Sequence, residues 1–284
     1  MPVIRVNNLD RRKSASCVLD QYARKVFSQF GEDGIIERVF EIIDAKNKWC
    51  VEFGAWDGVY LSNTCNLIRN HGWSAVQIEG NPRKFLELEK NFKGLRYVKP
   101  LQRIIGFTEG KDTIDHALSK TRIPEDFDLI SIDIDGNDYH IWRSMTAFKP
   151  RAVVIEFNPA IPNDVEFIQD RDMAIHQGAS LAALIELGKR KDYELVATTN
   201  CNAVFVRQEL FRKFGISDNS IDAMRKNITG RIFSTYDGTI YNNMRPLQWV
   251  GRGTRVPNDQ FQMVQKEQRV FYDNIPEAEI PVED

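Results

Sequence analysis

Cysteine is scarce and scattered. The four residues Cys17, Cys50, Cys65 and Cys201 form no C-x-x-C pair, which argues against a zinc ribbon or a dithiol redox centre. No export signal is recognisable in MPVIRVNNLDRRKSAS, so free thiols in a reducing, cytoplasmic compartment are expected. Cys50 and Cys65 fall in apolar segments and are expected to pack in the core. Long apolar runs are absent too. None approaches the roughly 18 residues of a transmembrane helix, so membrane insertion is not expected. Charge of one sign is also missing, with 38 basic and 40 acidic residues and a net charge of −2. Global charge therefore disfavours nucleic acid as the partner. What is present is ordinary for a globular chain, 42% hydrophobic and 27% charged residues among 284, which excludes disorder, collagen and coiled coil.

The chain is organised as alternating strands and helices. An amphipathic helix is expected after SQFGEDG, with Ile35, Ile36, Val39, Phe40, Ile42 and Ile43 at helical spacing. Ser28 and the Gly31–Gly34 stretch suit its start, with acidic groups near the positive end. Short apolar runs predict buried strands over 49–54, 74–79, 95–98, 128–134 and 152–157. Helices are expected between them, at 62–71, 82–92, 112–119 and 138–148, and a further one at 179–189. Residues 193–199 and 203–207 read as a hairpin closed by Asn200, Cys201 and Asn202. This order predicts an α/β fold with a mainly parallel sheet and helices on both faces. Residues 1–25 form an N-terminal extension, 26–208 the αβ domain, and 209–284 a C-terminal extension.

Two strand tips carry the first chemical signal. Glu52-Phe53-Gly54-Ala55-Trp56-Asp57-Gly58 is E-x-G-x-x-x-G at the end of the first strand. Glycine there permits a tight turn and close approach of backbone to a ligand, and open α/β sheets bind ligands outside the carboxyl ends of their strands. Neither G-x-G-x-x-G nor G-K-[ST] is present, which weakens dinucleotide and triphosphate readings. The second strand ends in Glu79-Gly80-Asn81-Pro82. An acid at this tip is placed to accept hydrogen bonds from ribose hydroxyls.

The segments SQFGEDGII, VEFGAWDGVYLSNT, QIEGNP, DTIDHAL, LISIDIDGND and VVIEFN, in this order, resemble the FkbM-like branch of the class I S-adenosylmethionine-dependent methyltransferases. The resemblance covers roughly residues 26–208. It implies a Rossmann-like, seven-stranded, mostly parallel sheet with an antiparallel C-terminal hairpin. It also implies S-adenosylmethionine as cofactor and O-methylation of a saccharide, a nucleotide-linked sugar or a related small metabolite. Residue by residue, Gly54, Ala55, Asp57 and Gly58 would form the loop near the methionine part. Glu52 would hold that loop or the cofactor's amino group, and Glu79 would bind the ribose. Asn63 and Thr64 would face the cofactor carboxylate, with capping of the next helix open for Asn63. Asp115 would lie near the adenine, and Asp133 would touch the cofactor.

The fourth strand's tip is the expected reaction centre, because Asp133, Asp135, Asn137 and Asp138 crowd into six residues. Asp133 and Asp135 are catalytic candidates, and His140 is a candidate general base. The fifth strand ends in Glu156-Phe157-Asn158. Asp133, Glu156 and Asn158 could together hold Mg²⁺ or another divalent cation, as in catechol-type enzymes; direct contact of Asp133 with cofactor or substrate is the alternative. His176 is a candidate substrate contact. Between Arg207 and Arg255, nine basic residues face four acidic ones, a net +5 interleaved with aromatics. Arg245 and Tyr241 are therefore candidates for holding an anionic acceptor. A nicotinamide-dependent oxidoreductase, a silent S-adenosylmethionine-binding module and a nucleic-acid methyltransferase stay open as other readings. So does homo-oligomerisation.

Overall fold

The computed structural model describes residues 18–108, 110–225, 232–235, 238–242, 262, 263, 265 and 267. The chain divides into two compact units, Lys13–Lys226, and Met1–Arg12 with Asn227–Asp284. In the second, β8 (Ile232–Ser234) and β9 (Ile240–Asn242) pair antiparallel. No helix among the described residues is long and apolar enough to cross a membrane.

The first unit opens with α1 (Glu32–Ile43), which buries Ile35, Ile36, Val39, Phe40 and Ile43 along one face. Its start is tied by Asp33. That carboxylate accepts the N–H groups of Val26, Phe27 and Ser28 at 2.8–2.9 Å and the Ser28 hydroxyl at 2.6 Å. The entering chain is thus locked to the helix end, whose first N–H groups find partners in it: Asp33 N–H donates to Ser28 Oγ at 3.1 Å and Gly34 N–H to Arg24 O at 3.2 Å.

Seven strands follow: β1 (Trp49–Phe53), β2 (Ser74–Glu79), β3 (Val98–Gln102), β4 (Leu129–Ile132), β5 (Ala152–Glu156), β6 (Tyr193–Thr198) and β7 (Asn202–Arg207). Their order is β3-β2-β1-β4-β5-β7-β6. All pairs from β3 to β5 are parallel, while β7 runs antiparallel to both neighbours. This is the Rossmann-like, mostly parallel sheet with a C-terminal hairpin that the resemblance implies. The intervening helices are α2 (Cys65–His71), α3 (Pro82–Asn91), α4 (Ile114–Leu118), α5 (Asp138–Ser144) and α6 (Leu181–Arg190). The central strands are buried on both faces, which is why they read as unbroken apolar runs. Cys50, Cys65 and Cys201 are buried free thiols; Cys17 lies outside the described residues.

One strand differs from expectation. β3 begins at Val98, where the sequence pattern predicts its end. Leu95 and Val98 instead donate in successive turns, to Phe92 O and Leu95 O, at 3.0 Å each. The strand then continues through Pro100, which a sheet edge tolerates because one side of its backbone needs no ladder partner.

At the amino ends of the strands Asp128 acts as a clamp. It is fully buried and accepts from the backbone N–H of Lys46, Asn47 and Lys48 at 2.7–2.9 Å and from Arg151 Nη1 at 2.8 Å. The 1–25 and 209–284 extensions expected from sequence meet a different division here. Past β7, α7 (Gln208–Phe211) and α8 (Ile221–Met224) stay on the first unit, with Phe214, Ala223 and Met224 buried. Arg225 completes the attachment: its guanidinium donates to Pro159 O at 2.7 Å, Ile161 O at 2.9 Å and Asn163 Oδ1 at 3.0 Å.

Candidate cofactor and reaction site

A cavity of about 240 Å³ opens at the carboxyl ends of β1, β2 and β4. Its walls are Phe53, Gly54, Trp56, Glu79, Gly80, the Arg103–Ile105 segment, the β4 turn from Asp133 to Asn137, Met173 and His176. The first turn is forced by the sheet. Gly54 has φ +78, and a Cβ there would stand 1.7 Å from the Asp133 carbonyl oxygen. Only glycine fits where β1 and β4 approach so closely. Glu79 is 7% exposed at the tip of β2. One oxygen accepts Trp56 N–H at 2.8 Å and the other accepts Asn81 N–H at 2.6 Å. Two of the carboxylate's roughly four lone-pair directions are thus used by the fold, leaving two for a ligand.

The other expected cofactor residues build the loop instead of lining the cavity. Glu52 is buried and accepts Ser62 Oγ at 2.5 Å, Asn63 N–H at 2.7 Å and Thr64 Oγ1 at 2.7 Å. Burial pushes its carboxyl upward, against these three bonds. Asn63 donates onward to Ser131 Oγ at 3.1 Å. Asp57 accepts Val59 and Tyr60 N–H groups at 2.9 and 2.7 Å. Ala55 is buried. Gly58 faces α3, since a Cβ there would meet Phe92 and Leu88 at 2.3 and 2.6 Å. Asp115 is placed elsewhere. Its carboxylate takes Thr146 N–H at 2.7 Å and Ala147 N–H at 2.9 Å. It lines a separate cavity of about 450 Å³ with Phe107, Thr113, His116, Ser144 and Arg171.

The β4 turn concentrates acid. β4 ends at Ile132, and Asp135 turns the chain at φ +55. Carboxylate oxygens of Asp133, Asp135 and Glu156 nonetheless come within 4.8 Å of one another. Burial, then repulsion from Asp138 and Asp135, holds the Asp133 carboxyl well above the usual range. Burial and then Asp133 push Glu156 up to about 11. The Asp133–Glu156 pair therefore retains a proton. Asp138, raised to about 6 chiefly by burial, closes the turn by accepting Ile134 and Gly136 N–H groups at 2.9 and 3.0 Å.

Of the trio expected to hold a divalent cation, Asp133 and Glu156 come together, with Asp135 as the third carboxylate beside them. Asn158 has its amide committed, donating to Gln177 O at 2.8 Å and accepting Ala160 N–H at 2.9 Å. His140, the expected base, is 7% exposed and does not line the cavity. Its Nε2 lies 2.9 Å from Gln169 O, and the ring packs edge-on against Phe107 and Tyr139. His176 does line the cavity. Tyr241 lies in β9; its side chain and Arg245 are outside the described residues.

Sequence reasoning missed Arg103, Ile104 and Ile105 because it ended β3 too early. Their signal is the tip of the third strand, once Pro100 is allowed inside an edge. Arg103 Nη1 and Asn137 Oδ1 are buried without partners, a donor and an acceptor available to a polar ligand. These orphans, the acid at the β2 tip and the apolar faces of Phe53, Ile104 and Ile105 suit an amino-acid-bearing nucleoside such as S-adenosylmethionine.

No family model matches the chain, and no curated protein matches it. Solved structures with a similar layout include the N-terminal domain of EvdMO1 with SAH bound, 14% identical over 60% of this chain and 79% of that one, with a TM-score of 0.38. The METTL16 MTase domain is 13% identical over 64% of this chain and 69% of that one, at a TM-score of 0.39. An S-adenosylmethionine-dependent methyltransferase from Clostridium acetobutylicum is 11% identical over 62% and 90%, at a TM-score of 0.38.

Proposed function

We propose that the protein is an S-adenosylmethionine-dependent O-methyltransferase acting on a hydroxyl of a saccharide, a nucleotide-linked sugar or a related small metabolite. The observation that carries this reading is Glu79, held by two backbone donors at the β2 tip with acceptor capacity left over, on a cavity bounded by the Gly54 turn and the Asp133–Asn137 turn. The motif order VEFGAWDG, QIEGNP and DIDGND supports it.

In this reading Glu79 accepts the ribose hydroxyls. Asn137 Oδ1 receives the methionine ammonium, and Arg103 offers a donor from the adenine side. When bound, the sulfonium supplies a methyl carbon, which the acceptor oxygen bonds as the carbon–sulfur bond breaks and its electron pair stays on sulfur. Orientation of that oxygen supplies much of the acceleration. The protonated Asp133–Glu156 pair has a hydrogen to donate and lone pairs to accept, which suits it to fixing a hydroxyl-bearing acceptor. No step is assigned to a metal.

The test is calorimetric titration with S-adenosylhomocysteine and, separately, NADH. Micromolar binding of the first with none of the second is expected. The reverse result overturns the reading.

A further inference from the structure

Resting on the methyl-transfer reading above, we propose that His176 is the base of the reaction, and that its Nε2 receives the proton leaving the acceptor hydroxyl. Ring geometry carries the argument. His176 Nδ1 lies 3.0 Å from the carbonyl oxygen of Asp135. A carbonyl can only accept, so in the neutral ring Nδ1 carries the hydrogen and Nε2 is left as a bare lone pair. His176 is exposed and shares the cavity wall with Asp133 and Asp135. The ring is thus oriented by one nitrogen and open at the other, which is what a proton acceptor needs.

The loop carrying it is fixed on both sides. Gln169, 2% exposed, accepts the N–H groups of Gln177 and Gly178 at 2.8 Å each through Oε1 and donates to Ile175 O at 2.8 Å through Nε2. The three peptide groups flanking His176 therefore hang on one side chain. Asn137 Nδ2 adds bonds to Asp172 O at 3.0 Å and Ile175 O at 3.3 Å. Gly136 lets the turn and loop approach, since a Cβ there would stand 3.2 Å from the His176 Cα. His140, through its Nε2, steadies Gln169. Gln169 is on this view a positioning residue.

The other candidates are committed. Asp133 and Glu156 hold a proton between them, Asp138 is bound by two backbone donors, and His140 is turned away from the cavity. The charged groups around His176 are Asp133, Asp135 and Glu156 across the turn, Glu79 and Arg103 over the cavity, and Asp170, Arg171 and Asp172 on its own loop. The proton passes from the acceptor oxygen to Nε2 and then, with the ring at the surface, to solvent.

The experiment combines nitrogen-15 NMR of histidine-labelled full-length protein with kinetics. His176→Gln assigns the signal. Wild type should show His176 as the Nδ1–H tautomer with a bare Nε2, and Gln169→Ala should blur that signature into a mixture. Turnover is followed with radiolabelled S-adenosylmethionine on UDP-glucose and a panel of free hexoses. His176→Gln should lower kcat by about 100-fold or more while leaving the S-adenosylhomocysteine Kd within twofold. Added imidazole should restore part of the rate to His176→Gly and none to wild type. An Nε2–H tautomer at His176 overturns the proposal, and so does a His176→Gln kcat within threefold of wild type. Wild type that binds no S-adenosylhomocysteine overturns the methyl-transfer reading instead. If no acceptor in the panel is methylated, an Nε2–H tautomer at His176 still overturns the proposal.

Discussion

Replacing Glu79 by Gln removes a charge at nearly constant volume. The carboxylate spends one oxygen on Trp56 N–H at 2.8 Å and the other on Asn81 N–H at 2.6 Å. Glutamine has one acceptor oxygen and one NH₂ group, so one of these backbone donors must face another donor. The Gly54–Asp57 turn and the start of α3 would each lose definition. The variant also trades charge-assisted hydrogen bonds to the ribose for neutral ones. A hydrogen bond to a charged group is worth about 1–1.5 kcal/mol more than a neutral one, and every 1.4 kcal/mol or so is tenfold in affinity. S-adenosylhomocysteine should therefore bind about 5- to 10-fold more weakly to Glu79→Gln for each ribose hydrogen bond. Titration calorimetry measures this directly, and circular dichroism checks that the sheet persists. A folded variant whose Kd stays within threefold of wild type would refute the placement of the nucleoside at the β2 tip.

Three further outcomes follow from the geometry. Gly54→Ala, with its Cβ driven to 1.7 Å from the Asp133 carbonyl, should cost ~3 kcal/mol or more of stability; a urea midpoint equal to wild type would contradict the β1–β4 approach. Asp128→Asn removes the charge facing buried Arg151 and should cost ~3–5 kcal/mol, measured by the same denaturation, with Asp126→Asn as the exposed control near zero. For pH, the Asp133–Glu156 pair keeps a proton that the unfolded chain releases near about pH 4. Above that pH the folded state binds more protons, so stability should fall with rising pH by up to about 1.4 kcal/mol per unit for each proton retained. Glu156→Gln should flatten this decline between pH 5 and 9; parallel profiles for variant and wild type would exclude the shared proton.

Much of the fold was legible because its determinants are local. The apolar runs of β1, β2, β4 and β5 have nowhere to go but a sheet buried on both faces, and their alternation with helices implies parallel order. β3 was misplaced because Pro100 looks like a strand breaker until the strand is known to be an edge. The cavity lining was legible where a strand tip and a residue type coincide, as at Gly54, Glu79 and Asp133. It was illegible where residues act through backbone groups far along the chain. Glu52 looks like a ligand contact but is consumed by Ser62, Asn63 and Thr64. Asp115 looks like an adenine contact but caps the peptide groups after α5. Gln169 has no local signature, because its work is to hold peptides six to nine residues away.

By itself, then, the sequence determined which segments other than β3 are strands and helices, which strand tips carry acid, and that Cys50 and Cys65 are core residues. These follow from hydrophobic period and residue chemistry, which need no partner to be read. Only the tertiary structure decided which histidine faces the cavity. His140 and His176 are equally polar in one dimension. In three, one is buried with its Nε2 against a carbonyl, and the other is tethered through Nδ1 with Nε2 open. The reason is that a side chain's protonation pattern and accessibility are set by what the fold places opposite it, and no spacing along the chain encodes that.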